Sequence, residues 1–130
     1  MGDALTLSYT RAGSGWVAAI GPVCLHLDDR NGVVHPAHAA VADAMPATLP
    51  ALRATAAAYL DLFVDRRRAC GDDPAPWWLD EVEFRDHPAS DPLVYALHFT
   101  LAGDEGGLWT VDMRVGADGH RPIRFERRQG

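Results

Sequence analysis

One stretch limits what this chain can become: Thr48 to Gly71, TLPALRATAAAYLDLFVDRRRACG. Leu49, Leu52, Ala56, Tyr59, Leu60, Phe63 and Val64 recur at three- and four-residue steps, the spacing that puts side chains on one face of a helix. Thr48 offers a hydroxyl cap, Pro50 suits a first turn, and Arg66, Arg67 and Arg68 suit a last turn ahead of a stop at Gly71. The spacing predicts one long helix with an apolar stripe to bury.

The rest of the chain alternates. Leu5, Leu7 and Tyr9, then Trp16, Ala18 and Ile20, then Val23, Leu25 and Leu27 read as two or three short antiparallel strands, and Asn31-Gly32 signals a turn. Pro36 to Met45 predicts a short helix that ends at Met45-Pro46. After the Gly71–Pro76 loop come four more strand patterns. The first places Trp78, Val82 and Phe84 on one face, with Asp80 awkwardly in the same phase. The others carry Leu93 to Leu101, Leu108 to Val115, and Ile123 with Phe125, joined by short glycine-rich turns. A stripe and a one-sided sheet bury each other, so the expected fold is α+β. It is an antiparallel sheet of six to seven strands on one long helix plus a short one, in the order β-β-β-α-α-β-β-β-β. A chain of 130 residues makes this a single domain, 1–130. Its core would hold Leu52, Tyr59, Phe63, Phe84, Tyr95, Leu97, Phe99, Trp109, Val111 and Phe125.

Charge separates the function classes. The net charge is −6, and a general nucleic-acid binder needs a basic face instead. Ten acidic residues lie between Asp72 and Asp112 against Arg85 alone, whereas Arg114, Arg121, Arg124, Arg127 and Arg128 make the tail basic. Every basic residue is Arg, which with the many alanines suggests a high-GC bacterial genome. No apolar run reaches the ~20 residues of a membrane span, and the start lacks a signal-peptide pattern. The expected compartment is therefore the cytoplasm, with Cys24 and Cys70 as free thiols.

Catalytic and metal patterns are thin. His35 and His38 form an H-x-x-H without a zinc-type continuation, and read as a turn residue and a solvated helix face. Glu81 and Glu83 share a strand face near His87 and His98, yet no nucleophile or metal partner joins them. Ser8, Ser14 and Ser90 sit in no nucleophile elbow, and Gly13-Ser14-Gly15 is too short for a phosphate loop. Neither cofactor nor metal is expected, and the balance leans away from an enzyme. Trp77-Trp78 stands out, because adjacent strand residues point to opposite faces and only one can enter the core.

A strand pair, an alanine-rich helix and a closing meander, GLWTVDMRVGADGHRPIRFERR from Gly107 to Arg128, resemble small bacterial α+β proteins of the immunity type, which neutralise a toxin domain by binding it. The resemblance implies a non-enzymatic inhibitor with a basic protein partner. Together with the acidic run, the candidate surface is Asp72, Asp73, Trp77, Trp78, Asp80, Glu81, Glu83 and Asp86. Two alternatives stay open. One is a cone-shaped fold similar to the nuclear-transport-factor-like or cystatin-like folds, with His98, Asp112, Tyr95 and Trp109 lining a pocket for a small ligand or acid–base chemistry. The other is a homodimer in which the tail from Arg121 to Arg128 pairs with the acidic stretch of a second copy.

Overall fold

The computed structural model describes residues 7–70, 76–84 and 93–130, with the side chains of 69 and 70 excepted. Its architecture is α+β, one sheet with helices on one side. The N-terminal strands are β1 (Thr10–Ala12), β2 (Gly15–Ile20), β3 (Val23–Arg30) and the two-residue β4 (Val33–Val34). Then come α1 (Pro36–Ala42), α2 (Met45–Asp61) and α3 (Arg66–Cys70), followed by β5 (Trp77–Phe84), β6 (Val94–Leu101), β7 (Gly107–Gly116) and β8 (Gly119–Gln129). Leu7 and Tyr9 lie outside any strand, so the described part of the first strand starts later than the alternation suggests. Asn31 and Gly32 both take positive φ, 56° and 85°, and make the tight turn into β4 that their residue types favour.

The strand order is β1-β2-β3-β5-β6-β7-β8, with β4 attached to β3. Among the described residues all pairings are antiparallel except one: β3 and β5 run parallel, aligned Leu25 to Val82. That corrects the expectation of a purely antiparallel sheet. A hairpin reverses direction, but the three helices between β3 and β5 form a long connection, which can return the chain in the same sense.

The expected single helix over Thr48–Gly71 is two helices. α2 begins earlier, at Met45, with Pro46 in its first turn, where a missing amide costs nothing. Thr48 is therefore inside the helix and its hydroxyl donates to the Ala44 carbonyl at 3.1 Å instead of capping. Pro50 is interior too. The helix stops at Asp61 because Asp65 captures the Arg67 amide at 3.0 Å, and this local bond begins α3. The three arginines thus open a second helix rather than closing the first. Gly71 lies outside the described residues.

Met45, Leu49, Leu52, Ala56 and Leu60 form the buried stripe of α2. They pack on the sheet face made by Leu25, Leu27, Leu79, Val82, Phe84, Tyr95, Leu97, Phe99, Trp109, Val111 and Met113. Fully burying each large apolar side chain contributes roughly 1.5–3 kcal/mol. Tyr59 and Phe125 are only half-buried, and Phe63, expected in the core, is 61% exposed because it lies past the end of α2.

Candidate functional site

The face of the sheet turned away from the helices carries the polar chemistry. On β3 it presents Cys24 and His26, and on β5 Trp78, Asp80, Glu81 and Glu83. On β6 it presents Ala96, His98 and Thr100, on β7 Thr110, Asp112 and Arg114, and on β8 Arg124, Glu126 and Arg128. Carboxylates dominate at β5 and arginines at β8, three strand spacings or about 14 Å away.

A bulge in β5 builds the acidic strip. The register slips between Leu79 and Glu81, so Asp80 is the extra residue. Before it, Trp77 and Leu79 enter the core; after it, Val82 and Phe84 do. Trp77, at 3% exposure, therefore replaces Trp78 in the expected core phase, and Trp78 is 55% exposed. The bulge also explains why Asp80 fell in an apolar phase. Its carboxylate accepts a hydrogen bond from the Thr100 hydroxyl at 2.7 Å, beside Trp78.

Of the expected surface, the structure brings Trp78, Asp80, Glu81 and Glu83 to one face and sends Trp77 to the other. Asp72, Asp73 and Asp86 lie outside the described residues, as does His87.

Histidines anchor the carboxylates. His26 Nε2 lies 3.4 Å from Glu81. His98 bridges three strands, with Nε2 at 3.0 Å from Glu83 Oε1 and Nδ1 at 2.8 Å from Thr110 Oγ1. Both His98 and Thr110 are buried at the floor of a cleft of about 140 Å³, whose walls include Asp112, Arg124 and Glu126. Asp112 and Arg124 form an ion pair there. Small-molecule sites usually run to roughly 300–1,000 Å³, so this cleft admits one small group at most. Of the pocket residues weighed from the sequence, His98, Asp112 and Tyr95 line it, whereas Trp109 packs in the core on the opposite face, its ring against Trp77 and Phe125. Tyr95 borders the cleft while its ring turns into the core, where its hydroxyl meets His120 Nδ1 at 2.6 Å.

A hydroxyl–imidazole–carboxylate chain invites comparison with nucleophilic catalysis. Thr110 is nevertheless buried mid-strand between β6 and β8, with ladders on both sides, so adjacent amides are committed to the sheet. A reacting carbonyl needs an exposed nucleophile and free oxyanion donors. The chain instead fixes Glu83 on the surface strip. Cys24 is no better as a nucleophile, since burial first and the Glu81 carboxylate second push its thiol pKa up.

The H-x-x-H pair lies elsewhere. His35 caps α1, accepting from the Ala37 amide at 3.2 Å. His38 is fully buried, correcting the expected solvated position: its ring stacks on His35 at 4.1 Å and on Phe84 at 5.4 Å, and Nδ1 accepts from the Asp28 amide. Among the described residues no group of three or more His, Cys, Asp or Glu side chains has metal-holding geometry. No helix among them is long and apolar enough to cross a membrane. Arg66 pairs with Asp61 at 2.9 Å.

The bulge and the His98 bridge are what sequence reading missed. Asp80 in an apolar phase was the one signal of the bulge; the bridge joins residues 15 and 12 positions apart and leaves no local trace. No protein-family model, curated protein or solved structure matches the chain.

Proposed function

We propose that this is a non-enzymatic binding protein of the immunity-inhibitor kind, whose open sheet face meets a basic protein. The observation that carries the reading is Trp78, a large aromatic left 55% exposed beside Asp80, Glu81 and Glu83 on the face that the helices leave open. An exposed aromatic in a charged setting fits an interface anchor, and an acidic strip speeds encounter with a basic partner. The burial of Thr110 and the raised Cys24 pKa favour binding over chemistry.

The test is capture of a partner from lysate of the source organism at low and high salt, then titration of the purified partner. Trp78→Ala is expected to weaken binding at least about tenfold, as central aromatic anchors do. Asp80→Asn/Glu81→Gln/Glu83→Gln is expected to slow association about tenfold at low salt and to flatten its salt dependence. A partner held equally well by both variants would place the interface elsewhere.

One observation favours the small-ligand alternative: His98, Asp112 and Tyr95 do line one cleft. Its size and the inward-facing Trp109 weigh against it.

A further inference from the structure

β8 is the longest strand, 11 residues, and ends the sheet; among the described residues its outer edge pairs with no strand. Proteins usually shorten or cover such edges, because the free backbone groups template pairing with another chain. Beside this edge lies exposed apolar surface. Leu62 and Phe63 are 77% and 61% exposed, and Phe63 stands 5.2 Å from Phe125 and 5.2 Å from Tyr59, ring centre to ring centre.

We propose that two copies join edge to edge through β8, antiparallel and centred on Phe125, making one continuous sheet. A two-fold axis normal to the sheet keeps every side chain on its own face, so opposed residues share a face and the register must centre on a residue. Charge then selects which one. Centring on Arg124 sets Arg124 against itself and Arg121 against Arg127; centring on Glu126 sets Arg124 against Arg128 twice. Centring on Ile123 falls on the bulge, where the register slips between Asp112 and Met113, and faces Arg124 with Pro122. Centring on Phe125 sets Arg124 against Glu126 twice and opposes no like charges. It also brings the two Phe125 rings together at the axis, flanked by both copies of Phe63 and Tyr59, which covers the exposed apolar surface. The tail thus pairs with itself, not with the acidic stretch. The β5 strip, three strands away, stays open in each copy, so this inference is independent of the partner proposed above.

Sedimentation equilibrium of the full chain over about 1–300 µM, the range in which a micromolar dimer dissociates, tests it. The parent is expected to dimerise. Between the copies Arg124→Glu and Glu126→Arg each create two like-charge pairs and should raise the dimer Kd about tenfold, while the double variant Arg124→Glu/Glu126→Arg should return to within about twofold of the parent. Phe63→Ser, at a position 61% exposed, should also weaken the dimer. A parent that stays monomeric throughout overturns the proposal. So do single reversals that dimerise like the parent, or a double variant that fails to recover.

Discussion

The Trp77 indole N–H donates to Asp61 Oδ1 at 2.9 Å, tying the first residue of β5 to the last residue of α2. The same carboxylate accepts two hydrogen bonds from Arg66 at the start of α3, so one side chain joins α2, α3 and β5. Trp77 then packs edge-on against Trp109 at 5.3 Å and Phe99 at 6.4 Å.

Replacing the two tryptophans should therefore have unequal effects on folding. Trp77→Ala removes a buried ring from the core and is expected to cost about 3–5 kcal/mol in urea unfolding. Trp78→Ala, at an exposed site, should stay within about 0.5 kcal/mol of the parent. Equal losses would contradict the assignment of these residues to opposite faces.

Removing the middle of the Glu83–His98–Thr110 chain leaves a buried hydroxyl without its imidazole partner. His98→Ala is expected to destabilise by about 1–3 kcal/mol, and Thr110→Val by about 1 kcal/mol. Far-UV circular dichroism with denaturant titration reads both. Any partner-binding loss in His98→Ala should be traceable to Glu83, and Glu83→Gln should reproduce it without the loss of stability.

Acid should weaken the fold in two stages. His120 has its pKa lowered by burial, so the unfolded chain binds that proton more readily; stability falls as pH drops below about 6.5, and His120→Gln should remove that stage. Asp104 is held below the usual carboxylate range first by hydrogen bonding from Arg127 and then by the Trp109 indole, and Asp29 first by the Trp16 indole and then by the Gly32 amide and Arg11. Their contribution is complete above the unfolded pKa near 4 and is lost as pH falls through the lower folded values. Melting temperature against pH, for the parent and Asp104→Asn, follows both stages; a parent curve flat from pH 7 to 5 would refute the His120 part.

Gly15 pairs across from Asp28, and a Cβ added there would sit 2.7 Å from the Leu27 carbonyl oxygen. Backbone cannot swing aside as a side-chain tip can, so the β2–β3 pair would have to part. Gly15→Ala is expected to cost roughly 1–3 kcal/mol by thermal or urea unfolding, a typical overpacking penalty. An unchanged midpoint would show that the two strands yield there.

Periodicity carried the elements that have one buried side. The alternation of Tyr95, Leu97 and Phe99 and of Trp109, Val111 and Met113 fixes which face of β6 and β7 enters the core, because a strand's side chains change sides every residue. The stripe Leu49, Leu52, Ala56 and Leu60 did the same for α2. Charge order along the chain likewise set an acidic β5 against a basic β8. What local pattern lacked was anything settled by partners far away in sequence. Asp65 broke the long helix through one competing backbone bond, and the bulge at Asp80 moved Trp77 into the core and Trp78 out of it. The parallel β3–β5 pairing and the His98 bridge arise only when three helices return the chain beside β3 and β6 settles next to β5. Composition and spacing determined which surfaces this protein had to bury; only the tertiary packing decided which polar side chains were left together on the face that stayed open, since those contacts are made between strands and not along them.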